Sequence, residues 1–282
     1  MKRDENIKIF NNTARMCKEN EILSKAVYHS NCFQSIVLEK DDVAVSNLSI
    51  YDEKADIIVS NKRSLEAASS YVGMNTCVLN FASATNPGGG VTKGSNAQEE
   101  CLCRCSTLYQ NLNAGILKDA FYIPHREDES RLYNDDCIYT PNVVVFKTDN
   151  ERPELMKEAD WFYVNVVTCA APNLKQALVT FASSDKEKPR IPSLEELYGI
   201  HKKRIKRILD VAVANKNEVV ILGAFGCGAF SNPPEVVAQA FADVIKEYEH
   251  AFRVIEFAIY CSDKEKKNYE IFKNTFFKSN LN

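Results

Sequence analysis

The chain has 282 residues, 45% of them hydrophobic and 26% charged, with a formal net charge of −3 and a pI near 5.9. That balance is the composition of a globular protein and excludes disorder, and it leaves no global basic field to attract nucleic acid or an anionic membrane. No stretch approaches the roughly 18 to 20 apolar residues of a membrane span, and the charged start Met1-Lys2-Arg3-Asp4-Glu5-Asn6, with no apolar run behind it, does not read as a signal peptide.

In chain order, residues 5–20 read as a helix, Ser35–Glu39 and Ala55–Ser60 as strands, and Ser64–Ala68 as a short helix with Ser64 as its N-cap. Cys77–Ala82 is a further strand. It runs into a glycine loop, Gly88-Gly89-Gly90, and then into a helix expected from Asn96 to about Asn113. Residues 119–140 are charged and aromatic and read as surface. Asn142–Phe146, Trp161–Val167 and Glu218–Leu222 are continuous apolar runs, as expected of strands covered on both faces. Residues 182–192 read as a polar loop. A helix follows over Ser193–Ala214, its buried side marked by Leu197, His201, Ile205, Ile208 and Ala212. A helix over 234–249, a strand over Val254–Tyr260 and a closing helix over 263–278 complete the pattern. Alternating strands and helices mean an α/β layered fold: one domain carrying an N-terminal helical extension.

Three features have bland explanations. Cys101, Cys103 and Cys105 lie on one helix, where only Cys101 and Cys105 share a face. With no C-x-x-C or H-x-x-x-H partner they read as packing residues, and no metal is expected. The ten cysteines as a set read as reduced thiols of a cytoplasmic protein. The run Lys202-Lys203-Arg204-Ile205-Lys206-Arg207 reads as the solvated basic face of its helix.

Two segments carry chemistry. The first is Gly88 to Glu100, in which the glycines let backbone N–H groups approach an anion and Glu99-Glu100 offer paired carboxyls in the first turn of a helix. Asn96 and Glu99 have the N-x-x-E spacing of a capping box, so Glu99 has a structural duty that Glu100 lacks. Lys93 reads as a solvated loop residue. The second segment is Gly223-Ala224-Phe225-Gly226-Cys227-Gly228-Ala229-Phe230, which also leaves a buried strand and enters a helix, with Asn232 as N-cap and Glu235 closing another N-x-x-E box. The glycine spacing is neither that of a P-loop nor that of a dinucleotide fingerprint. Ligands of open α/β sheets bind beyond the carboxyl ends of strands, so both loops are expected to line one crevice around a diphosphate. Thr168, Pro172 and Asn173 end a buried strand near the same place.

The run Asn80-Phe81-Ala82-Ser83-Ala84-Thr85-Asn86-Pro87-Gly88-Gly89-Gly90, seven residues, then Gln98-Glu99-Glu100, resembles the signature of poly(ADP-ribose) glycohydrolases of the microbial type. Gly226-Cys227-Gly228-Ala229-Phe230 resembles that family's diphosphate loop. The resemblance implies a macrodomain-like three-layer α/β/α sandwich with a mixed central sheet, residues 1–34 forming the helical extension and 35–282 the catalytic domain. It implies hydrolysis of ribose–ribose O-glycosidic bonds in poly(ADP-ribose), a glycosidase reaction without a cofactor that releases ADP-ribose. By the same resemblance Glu100 is the catalytic acid/base, Glu99 holds ribose hydroxyls, and Gln98 orients the pair. Gly88 to Gly90 give backbone room at the distal ribose, and Asn86 is a further substrate-binding residue; Gly226, Cys227, Gly228, Ala229 and Phe230 hold the diphosphate. The substrate is then poly(ADP-ribose) or ADP-ribosylated protein, with no membrane and no sequence-specific nucleic-acid partner. Hydrolysis of single ADP-ribose units from protein or nucleobase, and a non-catalytic ADP-ribose reader, remain the alternatives. A reader needs no acid pair.

Chemistry supports the acid assignment only with a condition. A first-turn carboxylate is held charged by the helix dipole, whereas a general acid must keep a proton. Burial, the neighbouring acid and a bound diphosphate oppose the dipole. The expectation is a Glu100 protonated in the substrate complex.

Overall fold

The computed structural model describes residues 3–175, 191–262 and 265–277. Seven strands form one mixed sheet: β1 (Ser35–Val37), β2 (Asp56–Ser60), β3 (Thr76–Phe81), β4 (Cys137–Val145), β5 (Phe162–Cys169), β6 (Val219–Leu222) and β7 (Val254–Ala258), in the order β1-β4-β5-β3-β6-β7-β2. β4 runs antiparallel to both β1 and β5, and the other pairs are parallel. Helices α1 (Arg3–Glu19), α2 (Glu21–Phe33), α3 (Ser64–Ala68), α4 (Gln98–Cys105), α5 (Leu108–Leu112) and α6 (Ile123–Glu127) are followed by α7 (Leu194–Ala214), α8 (Pro234–Ile245) and α9 (Lys267–Phe277). One buried cluster joins the sheet to α7, α8 and α9; another joins it to α1, α3, α4 and α5. The three-layer α/β fold with N-terminal helices is the expected one.

The parallel strands β3, β5, β6, β7 and β2 place their carboxyl ends on one edge, and β3, between β5 and β6, lies at the middle of it. Both glycine loops leave that edge. Helix α1 clamps the first loop from outside: Asn6 Nδ2 donates to Gly94 O at 3.0 Å, and Thr13 Oγ1 donates to Arg104 O at 2.6 Å. Buried Lys147 reaches from beyond β4 to Ile9 O and Thr13 Oγ1.

Several local expectations change. The helix predicted to Asn113 breaks at Ser106, which is extended (φ −144°, ψ 178°) and bridges Val145, so α4 and α5 are separate. Pairing with the sheet wins there over helix continuation. Residues 119–140 divide: Arg126, Glu127 and Glu129 are exposed, while Phe121, Tyr122, His125 and all of 135–140 are buried. β4 starts five positions before Asn142, which sits at φ +55° in a bulge between Thr140 and Val143. The polar Pro141-Asn142 pair disguised one bulged strand as a short one.

Capping also differs. Ser64 is the first helical residue, and Glu66 accepts from the N–H of Arg63, the true N-cap. The basic run on α7 is not wholly solvated: Arg204 is 1% exposed and ion-paired with Asp135 at 3.0 Å. Of the loop expected at 182–192, residues 182–190 lie outside the described residues. All ten cysteines are free thiols. Among the described residues no helix is long and apolar enough to cross a membrane.

Candidate active site

The first loop is built to bring two carboxyls to one point. Gly88 and Gly89 have φ of +64° and +59°, a region that L side chains rarely adopt. A Cβ on Gly89 would lie 2.6 Å from Glu100 Oε1 and 3.0 Å from Glu99 Oε2. Both acids therefore face the bare backbone of Gly89, and no side chain fits between.

The two acids exchange the roles that spacing suggested. Ala97, not Asn96, is the N-cap of α4. Glu100 is at N3, accepting from Ala97 N–H at 2.9 Å and from Gly90 N–H at 2.8 Å. Glu100 thus ties loop to helix. Asn96 Oδ1 instead accepts from Arg104, whose other η-nitrogen donates to Ser95 O. Glu99 turns under the sheet edge, accepting from Asn80 Nδ2 at 3.2 Å and from Ser83 N–H at 2.7 Å. The capping box was misplaced by one residue because Asn96 finds a stronger, cationic donor.

Burial pushes the Glu99 carboxyl up to about 8, against the hydrogen bonds from Ser83 and Asn80, which lower it. Glu99 therefore holds a proton at neutral pH. The sign for stability follows. A carboxyl raised on folding binds protons in the native state that the unfolded chain releases, so stability falls as pH rises from about 4.5 to about 8. Glu99→Gln, which cannot ionise, is expected to gain stability relative to the parent, by about 4 kcal/mol at pH 8 and less than about 1 kcal/mol at pH 5. Buried His201, lowered to about 4, acts in the opposite sense below 6.5 but is common to both proteins. Thermal unfolding of the two proteins across this range checks it; a gap that narrows with pH contradicts it.

Gln98 makes no side-chain hydrogen bond to either acid among the described residues. Its Oε1 accepts from Phe81 N–H, and its Nε2 donates to Leu79 O and Ser64 Oγ, so it staples α4 to β3 and α3. Asn86 is exposed on the loop and gives its carbonyl to Gly89 N–H at 3.0 Å.

The second loop is also tied from below. Asn232 is not a cap, since α8 begins after Pro233. Asn232 Nδ2 donates to Pro172 O and Gly226 O, and Oδ1 meets His201 Nε2 at 3.0 Å. Gly226 has φ +76°, and a Cβ there would meet Ala171 Cβ at 2.5 Å. Gly228 has nothing within 4 Å of its virtual Cβ. Gly226→Ala is therefore expected to cost about 2–4 kcal/mol, and Gly228→Ala less than about 0.5 kcal/mol, as read by denaturant midpoints. Equal midpoints would contradict the geometry. The N–H groups of Gly228, Ala229 and Phe230 make no hydrogen bond among the described residues.

A cavity of about 280 Å³ is lined by Ala97 and Gln98, at the start of α4, on one side and by Gly226, Gly228, Ala229 and Phe230 on the other; Asn86, Gly88 to Gly90, Glu99 and Glu100 are not among its lining residues. Cys227 is not among its lining residues; its half-buried thiol lies behind the loop, and burial pushes it up to about 12. The far wall carries residues that sequence reading missed. Arg63 lies over the ring of Tyr260, 4.2 Å from its centroid, and buried Asp149 has an oxygen, Oδ1, without a hydrogen-bond partner among the described residues. They stand distant in sequence, on turns after β2, β4 and β7, and only the sheet order brings them together. Asn80 was also missed, although a lone asparagine inside the apolar run of β3 was a signal.

A mixed sheet between helical layers, with two glycine loops leaving the carboxyl ends of its parallel strands, places the protein in the macrodomain-like class. The chain belongs to the family of microbial-type PARG (poly(ADP-ribose) glycohydrolase) catalytic domains, whose model matches residues 2–148. Solved structures agree over nearly the whole chain. Poly(ADP-ribose) glycohydrolase from Thermomonospora curvata is 25% identical, with a TM-score of 0.82, over 97% of this chain and 100% of that one. The same enzyme bound to the inhibitor ADP-HPD is 26% identical, with a TM-score of 0.79, over 96% and 99%. The Deinococcus radiodurans enzyme in complex with ADP-ribose is 27% identical, with a TM-score of 0.76, over 90% and 98%. No curated protein matches the chain.

Proposed function

We propose that this chain hydrolyses the ribose–ribose O-glycosidic bonds of poly(ADP-ribose) and releases ADP-ribose. The observation that carries the reading is the convergence of Glu99 Oε2 and Glu100 Oε1 over Gly89, next on α4 to Gln98, which lines a cavity whose opposite bank, Gly228 to Phe230, has N–H groups that make no hydrogen bond among the described residues. The diphosphate is held by the backbone of Gly226 to Phe230. Phe230, half-buried against the core, packs on the ribose beyond it. The distal ribose then lies over Gly88 to Gly90, at Asn86, with its glycosidic carbon at the acids.

Glu100 protonates the leaving oxygen as an oxocarbenium-like centre develops, then takes a proton from the attacking water. Glu99 holds the ribose hydroxyls. Burial pushes the Glu99 carboxyl up to about 8. The relatives solved with ADP-ribose and with ADP-HPD support the same ligand class here.

The test is product analysis. The protein and Glu100→Gln are incubated with poly(ADP-ribose) and, separately, with singly ADP-ribosylated protein. Free ADP-ribose from polymer, lost in the variant, is the expected result. Release from singly modified protein alone assigns a mono-ADP-ribosyl hydrolase. Binding without any product assigns a reader.

A further inference from the structure

Helix α1 reaches the candidate site through two buried polar side chains, Asn6 and Thr13, each 1% exposed. Asn6 Nδ2 donates to Gly94 O at 3.0 Å, in the first glycine loop. Thr13 Oγ1 donates to Arg104 O at 2.6 Å, near the end of α4. The two contacts are alike in kind and reach different parts of the site.

Gly94 ends the helical turn Val91–Lys93 at φ +76°. Its carbonyl and the N–H of Ser95 belong to one planar peptide, so a bond that fixes the carbonyl also fixes the direction of that N–H. The Ser95 N–H donates to Gly90 O at 3.1 Å. Gly90 N–H in turn donates to Glu100 Oε1 at 2.8 Å. Asn6 is thus linked to the Glu100 carboxyl through one peptide plane and Gly90. Among the described residues the only hydrogen bond to Gly94 O comes from Asn6. A glycine before the peptide makes its rotation cheap once that bond is lost. The backbone of α1 is packed against the same point, since a Cβ on Gly94 would stand 2.4 Å from Arg3 O. The other half of the amide, Asn6 Oδ1, is buried with no hydrogen-bond partner among the described residues. Such an oxygen destabilises a fold, so stability alone does not account for an asparagine here.

We propose that Asn6 is a positioning residue for Glu100: its amide holds the Gly94–Ser95 peptide in the orientation that keeps Gly90, and with it the Glu100 carboxyl, in place. The catalytic consequence rests on the glycohydrolase reading; the hold on the loop does not.

Asn6→Leu removes the amide and keeps a side chain of comparable length. A slight misplacement of a catalytic group is costly, and the expected fall in kcat is about tenfold. KM is expected to stay within about twofold, because the second loop and the cavity wall are untouched. The melting temperature is expected to move by less than about 4 °C. Thr13→Val is the matched control. It removes the bond to Arg104 O and takes an acceptor from Lys147 Nζ. Its melting temperature is expected to fall further than that of Asn6→Leu, while its kcat stays within about twofold of the parent. A parental kcat in Asn6→Leu, or a kcat that simply follows melting temperature across the two variants, overturns the proposal.

Amide hydrogen exchange reads the same geometry without turnover. Gly90 N–H is expected to exchange at least about fivefold faster in Asn6→Leu than in the parent, and at the parental rate in Thr13→Val. Asn232 N–H, bonded to Gly226 O in the second loop, is expected to be unchanged in both. Equal exchange at Gly90 in the parent and Asn6→Leu overturns the assignment. If the parent cleaves no polymer, the glycohydrolase reading fails, and exchange at Gly90 still decides whether Asn6 holds the loop.

Discussion

Glu100→Gln is expected to lower kcat for ADP-ribose release from polymer by about 10²- to 10⁴-fold, the range of a positioned general acid, while ADP-ribose affinity stays within a few-fold. The structure makes glutamine the informative choice. Glu100 accepts from Gly90 N–H through Oε1 and from Ala97 N–H through Oε2. Glutamine keeps one of these acceptors, so loop and helix stay joined at a cost of about 1 kcal/mol. Alanine removes both, freeing the loop and confounding chemistry with folding. Single-turnover kinetics and isothermal binding on the same preparation separate the two effects. A variant that binds normally and turns over at the parental rate removes Glu100 from the chemistry.

The paired role of Glu100 shows where sequence reasoning reached and where it stopped. The glycines and acids were recognisable as a unit because their chemistry requires contiguity: backbone freedom at Gly89, carboxyls within one helical turn. The strands were legible as apolar runs for a comparable reason, since both faces are covered. The division of labour between Glu99 and Glu100 was not legible, because it depends on Arg104 taking Asn96 away from the helix end. Arg104 lies eight residues past Asn96, and no local rule couples them. The Asn232 cap failed in the same way: its amide serves Pro172 and Gly226, and its carbonyl oxygen faces His201, a set assembled only by tertiary structure. The cavity's far wall, with Arg63, Asp149 and Tyr260, depends on the order of strands and could not be read along the chain.

Arg204→Met is expected to destabilise the protein by about 3 kcal/mol, the cost of removing the buried member of an ion pair, with Lys203 Nζ still 3.0 Å from Asp135 Oδ2. The sequence set Arg204 in a run of basic residues on α7, with nothing to distinguish it from its neighbours. In the fold it points inward. Its guanidinium meets Asp135 Oδ1 at 3.0 Å and donates to the carbonyls of Leu132, Tyr133 and Ala170. Methionine fills much of the volume but supplies none of these donors, so three carbonyls and a carboxylate lose a partner together. The consequence reaches the site by a short route. Ala170 precedes Ala171, against which Gly226 packs, and Pro172, whose carbonyl anchors Asn232. Asn173 in turn donates its N–H to Arg131 O in the loop that Arg204 holds. Loss of the arginine therefore loosens the support of the second glycine loop as well as the core, and ADP-ribose affinity is expected to fall at least tenfold. Lys202→Met, on the same run, tests the distinction: its change in stability is expected to stay within about 0.5 kcal/mol. Denaturant unfolding with an unchanged m value places the Arg204 effect on the native state. Equal midpoints for Arg204→Met and Lys202→Met would restore the reading of this run as a solvated face and detach it from the site.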